Sequence, residues 1–147
     1  MKQLLNRFIQ EAHDGNTVDQ WWWYLATADY AAAPRFSDDP IDKKWTRRPI
    51  NRSYHSPFIG RSLKDVVQWI KRKPKDVKLD SHHFGLLDKQ SGQSGKVVLC
   101  KIGDKYLKGN KVTCLLWDVR TSTLTLGGLN FGDWEEWLSA GEYIPDI

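Results

Sequence analysis

Between Lys96 and Leu129 the chain reads as continuous β-sheet, and no other stretch limits the fold as tightly. Val97-Val98-Leu99-Cys100 and Cys114-Leu115-Leu116-Trp117 are dense apolar runs, while Thr123, Leu124, Thr125 and Leu126 alternate polar and apolar with period two. The breaks at Gly103-Asp104, Gly109-Asn110 and Arg120-Thr121-Ser122 are short and carry turn residues. Links this short join antiparallel neighbours, because a parallel crossover needs about a dozen residues or more. Upstream, Val77 and Leu79 alternate with Lys78 and Asp80, which predicts a fourth strand near 77–87. Lys89-Gln90-Ser91-Gly92-Gln93-Ser94-Gly95 reads as a flexible tip joining it to Val97.

Helices should flank this sheet. Leu4, Leu5, Phe8, Ile9 and Ala12 share one face of a helix from Lys2 to His13, which Asp14-Gly15 ends. Thr17 and Gln20 have the form of a capping box, which predicts a second helix running toward Ala33 and stopped by Pro34. That helix would carry Trp21, Trp22, Trp23 and Tyr24 in a row. Successive helical residues are spread by about 100°, so four rings cannot share one core and at least one should meet a second surface. Ser62 and Asp65 open a third helix, with Leu63, Val66, Val67 and Ile70 as its apolar stripe and Pro74 beyond its end. Asp133 is placed to cap a short C-terminal helix holding Trp134, Trp137 and Leu138, with Gly141 closing it.

Residues 34–61 follow no period. Pro34, Pro40, Pro49 and Pro57 break it, and Phe36, Trp45, Ile50, Tyr54 and Phe58 give it apolar anchors, so a long irregular connection lying on the surface is expected. The expected fold class is therefore α+β. A single globular domain over residues 1–147 would hold a mostly antiparallel sheet of about four strands near 77–126, packed on the N-terminal helices and on a helix near 62–73.

Function is carried first by charge. Between Ile41 and Lys75 eleven basic residues face only Asp42 and Asp65, a balance of +9, so the remainder must carry −5 to reach the overall +4. The acidic counterweight sits late, in Asp118, Asp133, Glu135, Glu136, Glu142 and Asp146. Basic residues interleaved with rings are the composition that holds phosphates and stacks bases, which makes Lys43, Lys44, Trp45, Arg47, Arg48, Arg52, Tyr54, Arg61, Lys71, Arg72 and Lys73 the candidate nucleic-acid contacts. The bland alternative is a solvated basic face, or one that folds against the acidic C-terminal helix of the same molecule or of a neighbour, as in a homo-oligomer.

Three function classes follow: an intracellular RNA- or DNA-binding module, a protein-interaction or immunity-type inhibitor using its tryptophan-rich surface, and a small metal-independent ribonuclease of the toxin type. The last would use His55 or His82 as a proton carrier, with Arg47, Arg48 and Lys71 around the phosphate. No glycine-rich phosphate loop, HExxH, GxSxG or CxxC motif is present, so no cofactor and no metal is expected. Cys100 and Cys114 are expected as buried free thiols inside strands, a disulfide between adjacent strands being the other option. No apolar run approaches the roughly 18 residues of a membrane span, and Arg7 and Glu11 interrupt any secretory h-region, so a cytoplasmic protein without membrane contact is expected.

Overall fold

The computed structural model describes residues 2–15, 23–39, 44–47, 49–103, 111–122 and 134–146. The fold is α+β, with one antiparallel three-stranded sheet in the order β1-β2-β3, formed by β1 (His83–Leu86), β2 (Lys96–Ile102) and β3 (Val112–Asp118). In the ladder Phe84 lies opposite Cys100, Gly85 opposite Leu99, Val98 opposite Leu116, and Cys100 opposite Cys114. Because side chains alternate along a strand, this register sorts the sheet into two faces. One carries His83, Lys101 and Thr113, then Gly85, Leu99 and Leu115, then Val97 and Trp117. The other carries Phe84, Leu86, Val98, Cys100, Ile102, Val112, Cys114 and Leu116.

Both faces are covered, as the apolar density of β2 requires: Val97, Val98, Leu99 and Cys100 are all fully buried. Helix α1 (Lys2–Asp14) lies on the first face, its buried Phe8, Ile9 and Ala12 in one cluster with Val97, Leu99 and Leu115. Helix α5 (Trp134–Ala140) covers the same face. Trp134 donates its indole N–H to Thr113 Oγ1 at 3.0 Å, and Trp137 tilts against Trp117 at 4.8 Å between ring centres. Helix α2 (Leu63–Lys71) covers the second face, where Val66, Val67 and Ile70 cluster with Ile102 and pack on Phe84 and Val112. A further helical turn, α4, occupies residues 119–122.

Four sequence expectations change. The segment from Trp23 to Ala33 is extended and then turned, not helical. Its backbone is taken up elsewhere: the Trp23 carbonyl accepts from the Thr46 amide at 2.8 Å, and the Leu25 amide donates to Thr46 Oγ1. Trp23 stands edge-on to Phe8, 4.9 Å between ring centres, and its indole lies over Gly85. The predicted strand over 77–87 shrinks to β1, because the Asp80 carboxylate captures the amides of His82 and His83, bending the chain just before it. Val77 retains only a single bridge to Arg35. Three of the four expected strands are present among the described residues, the other falling at Thr123–Leu126. The Lys89–Gly95 tip is a helix, α3 (Lys89–Ser94), with Asp88 and Ser91 forming a reciprocal capping box and Gly95 closing it in the left-handed conformation at φ 65°. The Arg120-Thr121-Ser122 link is part of α4. The expected strand at Thr123–Leu126, the capping residues Thr17 and Gln20, and Asp133 lie outside the described residues. Between 34 and 61 the described residues form no helix or strand beyond the Arg35 bridge.

Asp88 also fastens the C-terminal tail. Its buried carboxylate accepts from Ser91, from the Tyr143 hydroxyl at 2.6 Å and from the Asp146 amide at 3.1 Å. Burial alone would raise this carboxyl, but hydrogen bonds from Tyr143, Asp146 and Ser91 outweigh it and hold the group below the usual carboxylate range.

Two glycines record close approaches. A β-carbon at Gly15 would stand 1.9 Å from the Arg120 carbonyl oxygen, and one at Gly85 would stand 2.7 Å from the Trp23 ring. Gly15→Ala and Gly85→Ala should each lower stability by about 1–3 kcal/mol in denaturant unfolding. The Gly15 change should cost more, because the obstacle there is backbone. Equal, negligible effects would contradict the packing described.

Candidate nucleic-acid interface

Helix α2 is built locally. Ser62 accepts from the Asp65 amide while the Asp65 carboxylate accepts from the Ser62 amide, so both ends of the capping box are present. With Val66, Val67 and Ile70 fixed on the sheet, the helical period turns Lys64, Gln68 and Lys71 outward, in line with Arg61 before the helix and Arg72 at its end. At 1.5 Å per residue this stripe runs roughly 16 Å. Arg72, Lys73 and Lys75 then gather past the helix C-terminus, where cations are favoured by the helix dipole.

Aromatic packing fixes the underside of this helix. Tyr30 stacks on Trp69 at 4.2 Å and its hydroxyl donates to the Trp69 carbonyl, while Phe58 meets the same indole edge-on at 5.8 Å. Burial pushes the Tyr30 phenol up to about 12.

The candidate contacts separate into two groups. Arg61, Lys71 and Arg72 come together along α2 and are exposed. Lys73 follows them but is half-buried, its Nζ donating to the Val77 carbonyl at 3.0 Å. Arg47 and Arg52 are exposed on the irregular connection, whereas Lys44 pairs with Asp38 at 2.9 Å, a contact that holds the Asp38 carboxyl below its usual range. Lys43 and Arg48 lie outside the described residues. The two proposed stacking rings turn inward. Trp45 packs on the core beneath α1, and Tyr54 joins the same cluster, its hydroxyl donating to the Ala26 carbonyl at 2.9 Å.

Among the described residues the aromatic ring most open to solvent is Phe36, at 66% exposure. Its backbone is held firmly: the Phe36 amide donates to the Asp76 carbonyl at 2.9 Å, the Lys78 amide to the Pro34 carbonyl at 2.8 Å, and Arg35 forks onto Asp76 at 3.0 Å. This seam pairs the Phe36 backbone with Asp76, in the segment that carries Lys75 and Lys78, residues absent from the candidate set. Lys64 was legible as the helical neighbour of Arg61 and Lys71. Phe36, expected as an apolar anchor of the connection, has its ring exposed, and its backbone, bonded to Asp76, does the anchoring.

His55 and His82, the candidate proton carriers, are not brought into contact with each other among the described residues. His55 and His82 are both exposed, and the only aromatic contact of His82 among the described residues is to His83, 6.5 Å away. His83, by contrast, is nearly buried, with Nδ1 3.2 Å from Asp80 and its ring 6.2 Å from Trp134. Burial pushes the Asp80 carboxyl up, but the His83 ring and the two captured amides more than offset this and leave it below the usual range. That pair fastens the turn to β1. Among the described residues no group of three or more His, Cys, Asp or Glu side chains is placed to hold a metal, and no helix is long and apolar enough to cross a membrane.

Comparison with known protein families, characterised proteins and solved structures gives no match to this chain.

The tyrosines give the structure an alkaline limit. Tyr30 and Tyr143 are both pushed up to about 12, Tyr30 chiefly by burial and Tyr143 by burial together with the Asp88 carboxylate. An unfolded tyrosine ionises near pH 10. The folded chain therefore retains protons that the unfolded chain loses, so this stability is whole below about pH 10 and is lost as pH rises toward 12. Denaturant midpoints measured across that window should fall for the wild type and fall less for Tyr30→Phe.

Proposed function

We propose that this chain binds nucleic acid through the outer face of α2 and the turn that follows it. The observation that carries the reading is the separation of charge across the sheet. Arg61, Lys64, Arg72 and Lys75 are exposed, and none forms a salt bridge among the described residues. The acidic helix α5, with Glu135 and Glu136 exposed, packs on the opposite face of the sheet. The sheet thus stands between the two charged helices. Neutralisation of the basic segment by that helix within one molecule has no geometric support in this arrangement; a solvated basic face, or pairing with the acidic helix of a neighbouring molecule, is the bland reading it leaves.

Arginine and lysine contacts to phosphate release counterions, so affinity should fall steeply with salt. Phe36 offers a base a stacking surface at the edge of the same cationic zone, a role its ring can fill and the inward-facing Trp45 and Tyr54 cannot. The nuclease reading is weaker, because neither exposed histidine has, among the described residues, a side-chain partner that would tune it for proton transfer. A protein partner remains the competing class, and the exposed side chains of Phe36 and Ile59 are what it would use.

Labelled single-stranded RNA, duplex RNA and duplex DNA, retained on the protein over a salt series, test the proposal. Arg61→Ala with Arg72→Ala should flatten the slope of log affinity against log salt by roughly one unit per contact removed, with folding intact. Phe36→Ala should weaken single-strand binding by about 1–3 kcal/mol at nearly unchanged slope. Absence of salt-dependent retention of every probe overturns the reading and favours the protein partner. Cleavage would restore the nuclease.

A further inference from the structure

Cys100 and Cys114 stand directly opposite each other on β2 and β3, on the face that α2 covers. Both are free and buried, and their sulfurs are 2.8 Å apart, within reach of an S–S bond of about 2.05 Å by a small shift. Nothing in the proposed nucleic-acid surface uses either thiol. The C-terminal tail lies over their cluster together with Leu63 of α2. The Tyr143 amide donates to the Cys114 carbonyl at 2.8 Å, its ring packs on the cysteine cluster, and its hydroxyl reaches Asp88 across the sheet.

We propose that Cys100 and Cys114 are a cross-strand disulfide site, closed by exchange with a small-molecule disulfide such as oxidised glutathione, and that the tail latched on Asp88 sets how fast it closes. The chemistry balances in two steps. One cysteine thiolate attacks a sulfur of the reagent, forming a mixed disulfide and expelling one reagent thiolate. The second cysteine thiolate then attacks the protein sulfur of that mixed disulfide, forming the Cys100–Cys114 bond and expelling the other reagent thiolate. The two protons lost by the cysteines end on the two reagent thiols, so the pair is oxidised by two electrons and the reagent reduced by two.

With the tail docked, exchange is slow for two reasons. The sulfurs are covered, and the neighbouring Cys114 together with burial holds the Cys100 thiol well above its ordinary range, leaving little of the reactive thiolate. Releasing Tyr143 opens the cluster from the tail side.

The test incubates the native protein with oxidised glutathione, and separately refolds it in the same reagent, with peptide mapping of the products. Refolded wild type should be a monomer with an intramolecular Cys100–Cys114 bond, and Cys100→Ser should form none. Native wild type should oxidise slowly, and Tyr143→Phe about tenfold faster or more, the factor expected for losing one hydrogen bond to a carboxylate. Asp88→Asn should accelerate it as well, and far-UV circular dichroism on both variants separates tail release from unfolding. Two free thiols, or only mixed disulfides, after refolding would overturn the site. Equal rates for native wild type and the folded variants would overturn the latch.

Discussion

The burial of β2 on both of its faces is the constraint on which the rest of the structure depends. A strand reading Val-Val-Leu-Cys has no polar side to give to water, so each face must find a cover. Helix α1 and the tryptophans of α5 cover one, and α2 covers the other. That division is energetic in origin and electrostatic in outcome. The cover that carries Arg61, Lys64, Lys71 and Arg72 is on one side, the cover that carries Glu135 and Glu136 is on the other, and the basic stripe is left facing solvent.

Asp88 holds a comparable place at one end of the sheet. A carboxylate buried this deeply is tolerated only because its oxygens are met by hydrogen bonds, here from the α3 cap and from the tail. Losing any one donor leaves a charged acceptor short inside the protein, which is why the tail, α3 and the end of β1 should respond together to changes at Tyr143. The same contacts roof the paired cysteines, so the tail's attachment bears on stability and on thiol reactivity alike.

What was legible in the sequence was what is decided locally. The α2 capping box and stripe, the apolar density of β2 and β3, and the first helix all follow from neighbours a few residues apart, and they stand. The Trp23 segment failed because its conformation is set by Gly85 and Thr46, partners far along the chain that invite a ring and a backbone pairing no helical period reveals. The Lys89–Ser94 helix hid behind serine and glycine, although Asp88 and Ser91 have the spacing of a capping pair. Of the candidate residues, most of the described cations are exposed, while two rings chosen with them are drawn inward. Trp45 and Tyr54 sit among arginines and lysines in the sequence but pack on the core, while Phe36, outside the densest charge, is the most exposed ring among the described residues.

An amide-resolved NMR titration of the full chain with a single-stranded oligonucleotide tests the central claim most directly. The account predicts salt-sensitive shifts at Phe36, along Arg61 to Arg72 and at Lys75 to Lys78, with the amides of α1 and α5 unmoved. Shifts centred on α5, or none at any residue of α2, would contradict it.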